Sequence, residues 1–199
     1  MRVEHAGVHP LEPGPAHGCG PASPARDGQL LSGRQRRRRA GDLLGRGEIE
    51  GQRRMIVRDA TLKDCPRMVR LGLAFRAAAM PDIPFDPAYA DAIARQHILA
   101  DDRVALVLED ATGPGVVGLL LGRIGRHDLA PVSFAQEVLW WIEPAHRGHG
   151  RQMLEAFERW ARERDAAFVG MVGRDERTGR FYQRAGYQPV ERGFLKELA

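Results

Sequence analysis

From Met55 onward the apolar positions recur with two different periods, and each change of period marks an element. Met153, Leu154, Phe157, Trp160 and Ala161 fall on one stripe of helical spacing, with Glu155, Arg159, Arg162 and Glu163 on the polar remainder. That pattern predicts an amphipathic helix opening just after Gly148 and Gly150. Upstream, Met55 to Arg58 reads as a short strand, and Thr61 with Asp64 as a capping box opening a helix to about Ala79. Pro81 and Pro84 break the chain; Asp86 then caps a second helix, with Pro87 at its first position, running to about Leu99. Arg103 to Glu109 and Val116 to Ile124 read as two strands of a hairpin around the turn Ala111-Thr112-Gly113-Pro114-Gly115. Phe134 to Glu143 and Phe168 to Val172 are further strands, and Arg177 to Arg184 a short helix ended by Gly186. Tyr187 to Val190 and Phe194 to Leu198 are expected as two closing strands.

The junction Trp140-Trp141-Ile142-Glu143-Pro144-Ala145-His146-Arg147-Gly148-His149-Gly150-Arg151-Gln152 concentrates the chemistry: a strand, a glycine turn, a helix start. Glycine has no Cβ to hold a ligand away from the backbone. The first N–H groups of a helix lack intrahelical partners and sit at the positive end of its dipole. Arg147 and Arg151 add full charges beside them, so the turn is suited to a phosphate group.

Composition divides the chain. All thirteen aromatic residues lie in 55–199, and residues 1–54 hold ten Gly, five Pro and the run Arg36-Arg37-Arg38-Arg39. Such a segment buries too little apolar surface to offset its ordering entropy, and it reads as a disordered basic tail. It carries 10 basic and 6 acidic residues, against 20 of each afterwards, so the net charge of +4 belongs to the tail. A basic arm suits nucleic acid or an anionic surface, but no aromatics interleave to stack on bases. A functionless tail, or a true start at Met55, is the plainer alternative. The tail has no apolar core of a signal peptide, and its acidic residues disfavour a transit peptide. Cys19 and Cys65 make no metal or disulfide spacing, and no apolar run is long enough to span a bilayer. A soluble, cytoplasmic protein, monomer or homodimer, is expected.

The order of elements, with Arg147-Gly148-His149-Gly150-Arg151-Gln152 and, some thirty residues on, Arg177 to Tyr187 (R-T-G-R-F-Y-Q-R-A-G-Y), resembles the GNAT superfamily of acyl-CoA-dependent N-acyltransferases. The first run is similar to the family's pyrophosphate-binding signature. The second is similar to its helix carrying a Tyr, followed by a Gly-aromatic pair. The likeness covers about residues 55–199. The Trp140-Trp141 strand and Lys196-Glu197-Leu198 also resemble small acetyltransferases of phages and prophages. Two positions depart from the pattern: Gln152 stands where the family has Gly or Ala, and Asp175 where many members carry an Asn near the pantetheine arm. The implied fold is α/β, a mixed central sheet flanked by helices and preceded by the tail.

The resemblance implies acetyl-CoA as acyl donor, transferred directly to a primary amine in a ternary complex. The strand before the turn would splay from its neighbour, and Trp140, Trp141 and Ile142 would offer backbone groups to the pantetheine arm, one N–H facing the thioester oxygen. Arg147, Gly148, His149, Gly150, Arg151 and Gln152 would hold the pyrophosphate. Tyr182 matches the family's general acid, since a phenol of pKa about 10 can re-protonate a thiolate of pKa about 8.5; packing beside Phe181 is the plainer reading.

A base must also take a proton from the attacking amine. Glu137 and Glu143, six residues apart on one strand, share a face by period two, and Glu137, between apolar neighbours, is preferred because burial raises a carboxyl pKa. His146 and His149 flank the turn without carboxylate or Cys partners, so phosphate contact suits them better than metal; no metal is implied. The acceptor, whether small amine, aminoglycoside-like polyamine, protein N-terminus or lysine, stays open. Pro81-Asp82-Ile83-Pro84-Phe85 reads as a loop over its cleft, with Asp82 and Asp86 able to attract a cation. A non-catalytic acyl-CoA sensor or partner-binding module is the reading from another class.

Overall fold

The computed structural model describes residues 54–191 and 193–198; the expected tail, Arg54 apart, lies outside them. Chain order is β1 (Met55–Asp59), α1 (Cys65–Ala79), α2 (Pro87–Leu99), β2 (Arg103–Asp110), β3 (Gly115–Arg126), β4 (Ser133–Ile142), α3 (Gly150–Arg162), β5 (Phe168–Gly170) and α4 (Glu176–Arg184). The five strands form one sheet in the order β1-β2-β3-β4-β5. Every pairing is antiparallel except β4 with β5, which is parallel.

The start signals act as the sequence implies. Asp86 Oδ1 accepts from the N–H groups of Ala88 and Tyr89 at the head of α2. Asp64 Oδ2 accepts from the Thr61 amide and hydroxyl. That reach-back tightens residues Leu62–Asp64 into a 3₁₀ turn, so the α-helix proper begins at Cys65.

Two apolar layers cover the sheet. On one face α3 packs Met153, Phe157 and Trp160 against Leu106, Leu108, Val117, Leu120 and Ala135. On the other, Met68, Leu71 and Ala94 of α1 and α2 cover Val107, Leu119 and Leu121. Gly122 is the gap that lets α3 close down, because a Cβ there would stand 2.2 Å from Phe157 Cε2.

The two closing strands do not form. Residues 187–190 and 194–198 join no sheet, and Val190, Phe194, Leu195 and Leu198 remain 80% exposed or more. Tyr187 is drawn to α4 instead: its N–H donates to Tyr182 O and its hydroxyl to Glu158 of α3. Tyr187 is thus held against α4 and α3 at the residue where the first closing strand would have to begin.

Candidate functional site in the fork between β4 and β5

β4 and β5 run together for only three pairs, Phe134 with Phe168, Ala135 with Val169 and Gln136 with Gly170. β4 then continues to Ile142 beside β3 alone, leaving a fork. Glu143 donates its N–H to Val117 O on β3. Backbone groups alternate sides along an antiparallel strand, so Trp141 also turns its amide and carbonyl to β3, while Trp140 and Ile142 turn theirs into the fork. Of the three residues expected to present backbone groups there, two do.

Glu137 is the first residue past the last β4–β5 pair, and it is 8% exposed. Its Oε2 accepts the Val172 N–H at 3.0 Å, and the Tyr182 hydroxyl lies 3.5 Å from the same oxygen. Burial pushes the Glu137 carboxyl above its ordinary range, against the two bonds that favour the anion. Tyr182, on the buried face of α4, is pushed far above the ordinary phenol range, first by burial and then by the Glu137 charge. It stays a neutral O–H at any physiological pH. The structure thus brings together the two residues proposed for proton transfer.

A bulge explains why Glu143 is elsewhere. Leu121 pairs with Leu139 and Gly122 with Glu137, so Val138 has no partner. An unpaired extra residue shifts the alternation of every residue after it. Ala135 and Trp140 consequently share the α3 face although they are five apart, while Leu139 and Trp141 lie on the α1/α2 face. The expectation that Glu137 and Glu143 share a face is overturned. Glu137 meets α4, and Glu143 meets α1, where its carboxylate pairs with Arg67 at 2.6 Å. No period count could see this; Gly122 opposite the bulge was the one clue.

Trp140, half-buried, walls the fork. Its ring meets Phe181 at 6.0 Å and Tyr182 at 6.1 Å between centroids. Its Nε1 is buried without a hydrogen-bond partner among the described residues.

At the mouth, the two glycines do different work. Gly148 has φ +120°, a backbone that L side chains rarely adopt, in open space. Gly150 opens α3 and lies against Trp140, with an added Cβ 3.4 Å from Cζ2. His149 precedes the helix but offers no side-chain cap, and the first turn carries no acid. The N–H groups of Gly150, Arg151 and Gln152 are therefore left for a ligand. Among the described residues Arg151 pairs only with Glu155, at 2.8 Å on the exposed surface, a contact worth about 0.3–0.5 kcal/mol that an anion can displace. Arg147 lies over the Trp141 ring at 5.4 Å, and Gln152 is exposed. This uncapped, glycine-flanked helix start suits a pyrophosphate.

Other expectations move. His146 faces inward, 3.8 Å from Asp110 and 3.9 Å from Glu143, rather than toward a phosphate. Asp175 caps α4, accepting from the Thr178 amide and hydroxyl, and these bonds hold its carboxyl low. Asp86 is occupied in capping α2, which leaves Asp82 as the exposed carboxylate of the Pro81–Phe85 loop. Phe75 of α1 meets Trp141 edge-on at 6.4 Å and carries Arg174 at 6.0 Å.

The family model for the acetyltransferase (GNAT) family matches residues 73–187. The chain belongs to that family. No curated protein matches it. Among solved structures, a transcriptional regulator from Bacillus halodurans C-125 is 19% identical, with TM-score 0.60, covering 73% of this chain and 100% of its own. Glucosamine-6-phosphate N-acetyltransferase from Arabidopsis thaliana is 15% identical, with TM-score 0.59 and coverage of 73% and 99%. Ribosomal-protein-alanine N-acetyltransferase from Brucella melitensis biovar Abortus 2308 is 13% identical, with TM-score 0.56 and coverage of 73% and 100%. At such identities the likeness speaks for the fold. Among the described residues no helix is long and apolar enough to cross a membrane.

Proposed function

We propose that this protein transfers an acetyl group from acetyl-CoA directly to a primary amine in a ternary complex. The observation that carries the reading is the fork itself. A glycine-flanked, uncapped helix start stands at its mouth, and a neutral phenol and a buried carboxylate at its closed end.

Gly148, His149, Gly150, Arg151 and Gln152 hold the pyrophosphate by backbone N–H groups, with Arg147 adding charge. The pantetheine arm lies along β4, pairing with the inward-turned backbone groups of Trp140 and Ile142. An N–H aimed at the thioester oxygen stabilises the charge that develops there during attack. Tyr182 gives its proton to the departing thiolate, and Glu137, directly or through a water, takes the proton the amine sheds. Asp82 favours a cationic acceptor before that proton is lost. Residues 1–54 are a tail that the transfer does not need.

A second reading is a domain that binds acyl-CoA and senses or recruits without turnover. It is favoured by the 7% exposure of Tyr182, whose hydroxyl already lies on Glu137. Steady release of free thiol from acetyl-CoA in the presence of an amine panel separates the two. Amine-dependent turnover supports transfer, and tight binding without it supports the sensor.

A further inference from the structure

Two titratable groups share the closed end of the fork, and the bond between them limits how a proton can move there. The Tyr182 hydroxyl and the Val172 amide both approach Glu137 Oε2, at 3.5 and 3.0 Å. The element opposite, β3, presents Gly122, behind which stands Phe157 of α3. From α4 and the segment after it come Tyr182 and Tyr187, ring centroids 5.7 Å apart. Behind Tyr187 is Glu158 of α3, ion-paired to Arg162 at 3.0 Å. Among the described residues no cationic side chain forms an ion pair with Glu137.

In that setting a phenolate beside an ionised Glu137 would leave two negative charges buried together, which is strongly disfavoured. Tyr182 can release its proton only as another arrives. We infer that Glu137 supplies it: the carboxylate takes the proton shed by the attacking amine and passes it to the Tyr182 oxygen as Tyr182 passes its own to the thiolate.

The balance closes. A C–N bond forms and the C–S bond breaks. One amine N–H is exchanged for a Glu137 O–H, that O–H for a new Tyr182 O–H, and the old Tyr182 O–H for the thiol S–H. Nothing is oxidised, and both residues end as they began. Glu137 acts on the thiolate only through Tyr182, so the inference rests on the transfer reading above.

A double-mutant cycle tests it, with thiol release followed at saturating acetyl-CoA and chemistry limiting, using a weakly basic amine that is neutral across the pH range. Glu137→Gln keeps an oxygen to accept from Val172 and Tyr182, but its amide can neither take up nor pass on a proton, and Tyr182→Phe keeps the ring. Each single variant should lose roughly 10²–10⁴-fold in kcat, with KM for acetyl-CoA little changed. The double variant should be no slower than the slower single one, because groups acting as a unit are not additive. The acid limb of the wild-type pH profile should vanish in Glu137→Gln.

Losses that multiply, or a Glu137→Gln variant as fast as wild type, overturn the relay while leaving transfer standing. Wild-type protein that releases no thiol with any amine overturns both. Should Glu137→Gln fail to fold, a proton inventory on the wild type in mixed light and heavy water decides instead. Curvature that requires three protons in flight supports the relay, and a plot fitted by two, the number a separate base and acid would move, contradicts it.

Discussion

The Val172 N–H donates to Glu137 Oε2 at 3.0 Å, one residue past the point where β4 and β5 part. A single carboxylate thereby ties the strand that would carry the acyl donor to the loop leading into α4. The Tyr182 hydroxyl lies 3.5 Å from the same oxygen.

Burial makes this carboxylate costly in its ionised form, and the sign of the pH dependence follows. A folded-state pKa raised above the unfolded value contributes stability that is present below about pH 4 and lost as pH rises through the folded value. Relative to Glu137→Gln, the wild type should therefore lose thermal midpoint as pH climbs from about 4 toward neutrality. Thermal melts of both proteins across that range check it. A constant difference would mean that Glu137 is not buried as an acid.

Asp64 behaves in the opposite sense. The Arg58 guanidinium beside it, together with the Thr61 amide and hydroxyl, lowers its carboxyl to about 2. The stability it contributes, about 2 kcal/mol at most, is present above the unfolded value near 4 and lost as pH falls toward about 2. Asp64→Asn should be less stable at neutral pH and should lose less on acidification. Equal acid sensitivity in the two proteins would contradict the Arg58 pairing.

Much of the fold could be read from the chain because each signal was local. Asp86 before Pro87, the stripe from Met153 to Ala161, and Gly186 after α4 (φ +94°) each act within a turn of themselves. The pairing of Glu137 with Tyr182, 45 residues apart, was not legible as a contact, although each residue could be singled out alone. The bulge at Val138 was hidden because period-two counting assumes an uninterrupted ladder. The last strands failed because strand propensity in Tyr187 to Val190 lost to the anchoring of Tyr187 on Glu158 and Tyr182.

The glycine turn yields a sharper test than Gly150 does. Valine at 150 would press on Trp140 and disturb the fork as well as the phosphate. Gly148→Ala meets nothing in space but forces a side chain onto φ +120°, costing about 1–3 kcal/mol or remodelling the turn. Calorimetric titration should show acetyl-CoA affinity falling by roughly fivefold to a hundredfold, the range that about 1–3 kcal/mol represents. Far-ultraviolet circular dichroism should be unchanged. Wild-type affinity in Gly148→Ala would remove the turn from the cofactor site.

The tail gives a simpler expectation. A chain beginning at Arg54 keeps the carbonyl that accepts from the Ala111 N–H beside β1. It should retain the thermal midpoint and acetyl-CoA affinity of the full chain. A fall of several degrees would show that residues 1–53 stabilise the domain.

Amine-dependent release of free thiol from acetyl-CoA, measured for wild type and Tyr182→Phe with the same acceptor, tests the central claim most directly. Wild-type protein should turn over with at least one primary amine. The variant should bind acetyl-CoA as tightly and turn over roughly 10²–10⁴-fold more slowly. Tight acetyl-CoA binding with no amine-dependent thiol release from the wild type would contradict transfer and leave a fork that only binds.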